Sequence, residues 1–323
     1  MTRRRDILGL LGVPLILGAS GRSQDQLPET PKLPAPQDEK DYRLSVTSRL
    51  VLLDVSVKDA AGGFVSGLTK DDFRVYENDK LQTITHFADA DIPVTIGLVV
   101  DESGSMRSKR AEVITASLIL VQASNPNDEI FVVNFNETVR RGLPEGVLFS
   151  DDIQQLRAAL WQGIPEGRTA LYDAIETAMH QLEQGRRDKK TLVVISDGGD
   201  NVSEHRLPQV MDDLLLSAAT VYTIGIFDED DPERNPRVLS RLARTSGGIA
   251  YFPNKLEEIV PICRQIAKDI RTRYTIGYIP STQNGKPTRH IKVVATSAEH
   301  GKLMVRTRTD YRFPSGTESA GLE

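Results

Sequence analysis

Two kinds of hydrophobic pattern divide most of the chain into three consecutive segments. In residues 42–90, apolar and more polar positions alternate through Val51, Leu53, Val55 and Val57, which is the period of a half-buried β-strand. Residues 91–273 instead contain short apolar runs without alternation, as strands buried on both faces require. These runs are Pro93–Val100, Ile130–Phe135, Leu192–Ser196 and Val221–Phe227. Residues 274–312 return to strand-like sequence.

Helical stretches separate the apolar runs of the middle segment. We predict helices over Arg110–Ala123, Ile153–Trp161, Leu171–Leu182, Pro208–Ser217, Pro236–Arg244 and Leu256–Arg271. Alternating strands and helices predict an α/β domain over residues 91–273, with a doubly wound, mostly parallel sheet. The flanking segments, 42–90 and 274–312, are expected to pack together as one small β module. Within it, Phe73–Tyr76 and Leu81–Phe87 flank Asn78-Asp79, which predicts a hairpin.

The amino terminus has the layout of an export signal. Residues 1–24 begin with three arginines, continue with an apolar run from Ile7 to Ala19, and end in small and polar residues. The arginine pairs resemble a twin-arginine signal, with ordinary secretion as the alternative. The apolar run is too short to span a bilayer comfortably, so we expect no membrane span in the mature chain. Residues 25–41, with four prolines, predict an extended linker, and residues 313–323 a disordered tail.

Composition limits the classes of partner and cross-link. The 323 residues carry a formal net charge of −5, which does not indicate a strongly basic face for nucleic acid. The chain has a single cysteine, Cys263, so an intrachain disulfide is impossible. Cys263 lies in a helical pattern and is expected to be a small buried hydrophobe.

Oxygen-bearing side chains follow the first buried run of the α/β segment. Asp101, Ser103 and Ser105 occupy alternate positions directly after Val100. Ligands of open α/β sheets bind at the carboxyl ends of the strands, so these three oxygens emerge where a site is expected. Mg²⁺ prefers oxygen ligands in near-octahedral geometry, which makes a metal ion the candidate ligand.

The segment D-E-S-G-S at residues 101–105 resembles the metal-ion-dependent adhesion site of von Willebrand factor A and integrin I domains. That family also uses a threonine from a second loop and an aspartate from a third. Thr169 in EGRTALYDAI and Asp197 in TLVVISDGGDN follow in the expected order. The resemblance covers about residues 92–273. The flanking sequences SGLTKDDFRVYEND and RTRYTIGYIP are similar to a secreted bacterial subfamily of related proteins.

This resemblance implies a metal-dependent protein-binding module. Ser103, Ser105 and Thr169 would be direct ligands, while Asp101 and Asp197 would act mostly through water. The ion would be Mg²⁺, or Mn²⁺ or Ca²⁺, and would bridge to an Asp or Glu of a partner protein. Together with the export signal, the resemblance implies a periplasmic or extracellular location. A structural envelope module with a silent metal site is the first alternative.

An enzyme is the second alternative, because Ser103 or Ser105 could act as a nucleophile with a suitable base. His205 is the only histidine near a predicted strand-end loop, and no other catalytic motif is found, so we expect no enzymatic activity.

Among the residues near the candidate site, Glu102 is expected to point to solvent. Asp200 and Asn201 are interpreted mainly as an exposed turn, and Tyr172 and Asp173 as packing or capping residues. The acidic run 228–231 is interpreted as a solvated loop.

Overall fold

The computed structural model describes residues 50–89, 91–227, 232–280 and 287–312, which lie within one compact unit. The predicted export signal, linker and tail fall outside these residues, as does the acidic run 228–231. No helix in the described ranges has the length and apolar character needed to cross a membrane.

The described residues form strands and helices in an order that alternates through the middle of the chain. The strands are β1 Val51–Lys58, β2 Phe73–Glu77, β3 Lys80–Gln82, β4 Ile84–Ala88, β5 Val94–Asp101, β6 Glu129–Phe135, β7 Val139–Arg141, β8 Lys189–Ser196, β9 Thr220–Gly225, β10 Ala250–Tyr251, β11 Tyr274–Tyr278, β12 Thr288–Ala295, β13 Met304–Arg306 and β14 Asp310–Arg312. The α-helices are α1 Arg110–Gln122, α2 Ile153–Leu160, α3 Leu171–Glu183, α4 Leu207–Leu216, α5 Pro236–Ser246 and α6 Ile259–Arg271.

The central sheet has the strand order β10-β9-β8-β5-β6-β7, and its strands are parallel except for β7. Every residue of β5 is buried, because helices cover both faces of a parallel sheet, and this explains its unbroken apolar run. The predicted α/β sheet is therefore confirmed. The edge strands β7 and β10, of three and two residues, were not predicted because they are too short to establish a period.

The six predicted helices are present, and most of their ends lie within two residues of the predicted positions. The last one differs at its start, since Leu256–Glu258 form a 3₁₀ turn before α6 begins. Helix α3 packs against β5, β6 and β8, while α1 packs against α2 and α6. Cys263 in α6 is fully buried, as predicted, and burial raises the pKa of its thiol to about 12.

The β segments from the two ends of the described chain pack together. One antiparallel sheet has the order β13-β1-β11-β4, and the other has the order β14-β12-β2-β3. In the first, Leu53 of β1 pairs with Ile276 of β11, so strands far apart in sequence are neighbours. Phe73 of the second sheet lies against Tyr274 of the first, with ring centroids 5.1 Å apart. The two sheets thus share a core, as in a sandwich.

The predicted strand Leu81–Phe87 is wrong as one element. The hairpin itself is present, since β2 pairs with β3 and both Asn78 and Asp79 have positive φ. The chain then changes sheet at Thr83, so that β4 pairs with β11 and not with β2. Each sheet gains an edge strand in this way, and a local period of two residues does not specify which partner a strand pairs with.

The carboxylate of Asp269, in the last turn of α6, joins the two hydrophobic cores. It accepts hydrogen bonds from Ser56 Oγ of β1 at 2.6 Å and from Tyr222 Oη of β9 at 2.7 Å. Arg273 and Arg306 also donate to it. Burial acts to raise the pKa of Asp269, but the two arginines more than offset this, so the pKa lies below its ordinary value. Asp269 therefore remains an ionised, fully bonded group at the junction.

Candidate functional site

Two adjacent parallel strands carry the carboxylates of the candidate site to the same edge of the sheet. Strand β5 ends at Asp101, and β8 ends at Ser196, one residue before Asp197. The register aligns Val100 with Ile195, so Asp101 lies opposite Ser196, and Asp197 follows one position further along the chain. Their exposed fractions are 3% and 2%. The carboxyl edge of the sheet thus holds two buried acidic groups close together.

Hydrogen bonds connect four of the five predicted site residues. Asp101 Oδ1 accepts from the backbone N–H of Ser103 at 2.8 Å. The hydroxyls of Ser103 and Ser105 lie 3.1 Å apart, and Ser105 Oγ donates to Asp197 Oδ2 at 2.5 Å. Ser196, which was not predicted, donates its hydroxyl to Asp101 Oδ2 at 2.6 Å. The structure therefore brings the oxygens of two loops together.

Thr169 lies at the end of a loop whose backbone contacts both the segment of Asp101 to Ser105 and the segment that follows Asp197. We call residues 101–105 the serine loop and residues 161–169 the threonine loop. The N–H of Gly104 donates to the carbonyl of Gly167 at 3.2 Å. Thr169 is buried, and its N–H donates to Asn201 Oδ1 at 2.9 Å. These contacts place Thr169 beside the serine loop and the segment that follows Asp197.

Asp200 and Asn201 do more than form an exposed turn. The N–H of Asn201 donates to the Thr169 carbonyl at 3.0 Å, which completes a two-way contact between the residues. Asp200 Oδ1 accepts from the backbone N–H of Tyr172, at the start of α3. The turn interpretation is corrected accordingly, because these side chains hold the end of the threonine loop. A single sequence lacks the pairing information needed to see this.

The electrostatics of the site match the demands of a divalent cation. Burial, followed by the nearby charge of Asp197, raises the pKa of Asp101 to about 7. The hydrogen bonds described above bring hydroxyls and backbone N–H groups to these carboxylates, and such groups carry no full positive charge. Closely spaced hydroxyl and carboxylate oxygens form a donor set that suits Mg²⁺ or Mn²⁺. The residues fit the ion that the resemblance implies.

Comparison with known proteins concerns the fold that carries this site. Residues 96–199 match the family model of the von Willebrand factor type A domain. The central part of the chain therefore has an α/β fold like that of von Willebrand factor type A (VWA) domains. The structure of von Willebrand factor type A from Catenulispora acidiphila is similar, with a TM-score of 0.51 and 16% identity over 82% of this chain and 75% of that chain. No curated protein matches the sequence.

Other solved structures match about half of this chain with lower TM-scores. The conserved hypothetical protein BatB from Bacteroides thetaiotaomicron matches with a TM-score of 0.43 and 18% identity, over 55% of this chain and 98% of that chain. Proximal thread matrix protein 1 from the mussel byssus, with a zinc-occupied MIDAS motif, gives 0.47 and 16%. That match covers 56% of this chain and 48% of the mussel chain. At these identities, the likeness concerns the fold alone.

Glu102 does not point to solvent as predicted, because its side chain is buried beside the candidate metal ligands. It is 2% exposed, and its carboxylate bonds Arg110 at 3.2 Å and Arg140 at 2.9 Å. We call these three residues the Glu102 cluster. Burial raises the pKa of Glu102, and the two arginines offset this only in part. The ion pair between Glu102 and Arg110 was not predicted, because the two residues are eight positions apart and a turn separates them.

The Glu102 cluster connects the serine loop to the threonine loop. The Glu102 carbonyl accepts from the N–H of Glu166 at 3.0 Å. Arg110 donates to the carbonyls of Trp161, Gln162 and Gly163. A single guanidinium therefore binds three successive carbonyls of the threonine loop. Nothing in the local sequence pattern revealed this function of Arg110, because it begins a helix and would ordinarily be read as a solvated charge.

The contacts of His205 bear on the hydrolase alternative. His205 Nδ1 lies 2.7 Å from Asp173 Oδ1, and that carboxylate also accepts backbone N–H groups from Glu204 and His205. Asp173, interpreted from the sequence as a packing or capping residue, instead binds the backbone of the segment that precedes α4. The hydroxyls of Ser103 and Ser105 bond each other and Asp197 instead. The described contacts therefore do not form the Ser–His pair that a hydrolase requires.

Proposed function

We propose that this VWA domain binds one divalent metal ion and uses it to hold a partner protein through an acidic residue. The ion is Mg²⁺, with Mn²⁺ or Ca²⁺ as substitutes according to supply. The protein acts outside the cytoplasm, in the periplasm or beyond it, as the export-signal pattern of residues 1–24 indicates. No covalent bond is made or broken in this function.

The hydrogen bond of 2.5 Å between Ser105 Oγ and Asp197 Oδ2 carries the proposal. It joins the serine loop to the end of β8, so that hydroxyls and carboxylates from different loops form one group. Ser103, Ser105 and Thr169 would bind the ion directly, and Asp101 and Asp197 would orient its water ligands. Ser196 holds the carboxylate of Asp101, and Asn201 holds the backbone of Thr169. The ion would supply positive charge at the surface.

The charge balance explains why such an ion would recruit a partner. Three neutral hydroxyls leave most of the ionic charge without direct compensation, and carboxylates one water away compensate it only in part. An acidic side chain from outside therefore completes the coordination favourably. A protein surface that presents Asp or Glu supplies this group without any chemical reaction.

The test is isothermal titration of Mg²⁺ and Mn²⁺ into the purified full chain, with Asp101→Ala in parallel. We expect one ion to bind the wild-type protein and none to bind the variant. Asp71→Ala is the matched control, because Asp71 is an exposed carboxylate in the β segment. Binding that survives Asp101→Ala unchanged would exclude this site.

A second titration tests the bridging role. A short peptide containing one Asp should tighten Mg²⁺ binding, and the same peptide with Asn should not, because coupling between two ligands is reciprocal. The alternative is a structural module with a silent metal site. Absence of bound Mg²⁺ and Mn²⁺ in the wild-type protein would establish that alternative.

A further inference from the structure

The threonine loop presents two large apolar side chains to solvent. Trp161 is 52% exposed and Ile164 is 66% exposed. Isolated exposed apolar residues are common on protein surfaces and need no explanation by themselves. These two lie three positions apart on a loop whose backbone contacts the serine loop at Glu102 and Gly104. Their position on the loop that carries Thr169 makes them candidates for contact with a partner.

The backbone of the threonine loop is held firmly despite this exposure. Arg110 Nη1 donates to the Gly163 carbonyl at 2.9 Å, and Nη2 donates to the Trp161 carbonyl at 2.9 Å. The Arg107 side chain donates to the Pro165 carbonyl at 3.0 Å. Carbonyls on either side of Ile164 are therefore fixed. The apolar side chains stand on a backbone whose conformation does not have to be ordered when a partner binds.

The indole of Trp161 is also held by a neighbouring charge. The Arg110 guanidinium lies over the Trp161 ring, 5.4 Å from its centroid, in a cation–π arrangement. Arg110 is itself bonded to the buried carboxylate of Glu102. A rigid aromatic side chain loses little entropy on binding, and tryptophan is enriched among the residues that dominate binding energies. Trp161 has both properties beside the site.

The charge of the bound ion selects the chemistry of the partner. Arg107 and Arg168 are exposed, but Glu166 is exposed in the same loop and Glu137 lies 4.0 Å from Arg168, so these side chains balance one another. A bound divalent cation adds positive charge to this face and makes it complementary to an acidic segment. A partner that approaches the ion with a carboxylate brings its neighbouring residues over Trp161 and Ile164.

We infer that Trp161 and Ile164 form an apolar contact surface for the partner, which is a protein segment with a large apolar side chain close to its metal-binding Asp or Glu. This inference rests on the proposed function. Ile164 precedes Gly167, the residue bonded to Gly104, by three positions. Three residues span at most about 11 Å. An extended partner covers this distance in about three residues, so its apolar side chain lies within about four positions of its acidic residue.

The test uses an array of short synthetic peptides and the full chain in the presence of Mg²⁺. Each peptide has one Asp in a background of Gly and Ser, with one Trp or Leu placed at a different distance from the Asp. The wild-type protein should prefer peptides whose apolar residue lies within about four positions of the acid. Trp161→Ala and Ile164→Ser should weaken binding of those peptides about tenfold, the size expected for residues central to an interface.

Leu81→Ser is the matched control, because Leu81 is an exposed leucine in the β segment. It should leave peptide binding unchanged. Titration of Mg²⁺ alone separates this inference from the proposed function. If the wild-type protein does not bind Mg²⁺, the proposed function itself fails.

If Mg²⁺ binds normally but peptides show no apolar preference, or none binds, the apolar surface is excluded while the metal site stands. The same conclusion follows if Trp161→Ala leaves the preference intact. If Trp161→Ala weakens binding of Mg²⁺ itself, Trp161 acts on the metal loops and the inference is wrong. Preserved Mg²⁺ affinity with lost apolar preference supports it.

Discussion

Glu102 and Gly163 pack so closely that a Cβ added to Gly163 would lie 2.1 Å from Oε2 of Glu102. Gly163 also has a φ of +84°, which a residue with a side chain adopts only at a cost. The serine loop and the threonine loop therefore meet at a position that only glycine fits. This contact makes the geometry around Thr169 dependent on a residue that binds no metal.

Gly163→Ala should destabilise the protein more than a positive φ alone explains. The new methyl group would displace Glu102, which is buried and bonded to Arg140, so we expect a loss of about 3 kcal/mol in the free energy of unfolding. Gly146→Ala is the matched control, because Gly146 has a φ of +81° but an added Cβ there would have nothing within 4 Å. The control should cost about 1 kcal/mol. Equal losses in urea unfolding would contradict the packing argument.

Removal of the Glu102 side chain should differ from neutralisation of its charge. Glu102→Ala leaves Arg110 and Arg140 without their shared acceptor and opens a cavity, with an expected cost of about 2 kcal/mol. Glu102→Gln should cost less than about 1 kcal/mol, because burial already raises the pKa of this carboxyl and makes its ionised form expensive.

The exposed pair Glu137 and Arg168 provides the control for the Glu102 variants. Their charged atoms lie 4.0 Å apart at the surface, so Glu137→Ala should change stability by less than about 0.5 kcal/mol. Chemical denaturation of all three variants measures these differences. A Glu102→Gln loss as large as that of Glu102→Ala would show that the charge itself stabilises the loops.

Asp101 should make the stability of the metal-free protein fall as pH rises. Its pKa is raised to about 7 from an ordinary value of 3.8, so the folded protein holds this proton more tightly than the unfolded chain. The resulting stabilisation is complete below pH 3.8 and is lost as pH rises to about 7. Asparagine does not titrate. Above pH 7, the free energy of unfolding of Asp101→Asn should therefore exceed that of the wild-type protein by roughly 2 kcal/mol. Thermal unfolding in chelator measures this, and an equal or lower stability of the variant would argue against it.

The same proton should compete with the metal ion. Mg²⁺ affinity is expected to be nearly constant above pH 7 and to fall by about tenfold for each pH unit below it, because the ion requires the carboxylate form of Asp101. Titrations in buffers of different ionisation enthalpy should reveal proton release near pH 7 and none well above it. An affinity independent of pH in this range would contradict the prediction.

Asp269→Asn should destabilise the junction between the two cores. The change leaves Arg273 and Arg306 partly unpaired in a buried environment, with an expected loss of about 3–5 kcal/mol. The lowered pKa of Asp269 means that its stabilisation is present above the ordinary value of 3.8 and is lost as pH falls through the folded-state pKa. The difference between wild type and variant should therefore narrow in strong acid. Asp71→Asn, at an exposed position, should show neither effect in urea unfolding followed across pH.

The sequence by itself determined the order of the central strands and helices. Continuous apolar runs such as Val94–Val100 have no polar face, so they must be buried on both sides, and the helical stretches between them leave a parallel sheet as the simple solution. It also indicated Asp101 and Asp197, since each directly follows or ends such a run. These features are local, and hydrophobic period is a local signal.

Only the tertiary structure decided the contacts made across loops. The burial of Glu102 depends on Arg140, thirty-eight positions away, and on a turn that returns Gly163 to the same place. The passage of the chain from one sheet to the other at Thr83 likewise depends on which sheet edge is free to pair. Side-chain partners at long sequence separation leave no period in the chain, because their positions are fixed only when the sheet assembles and its loops converge.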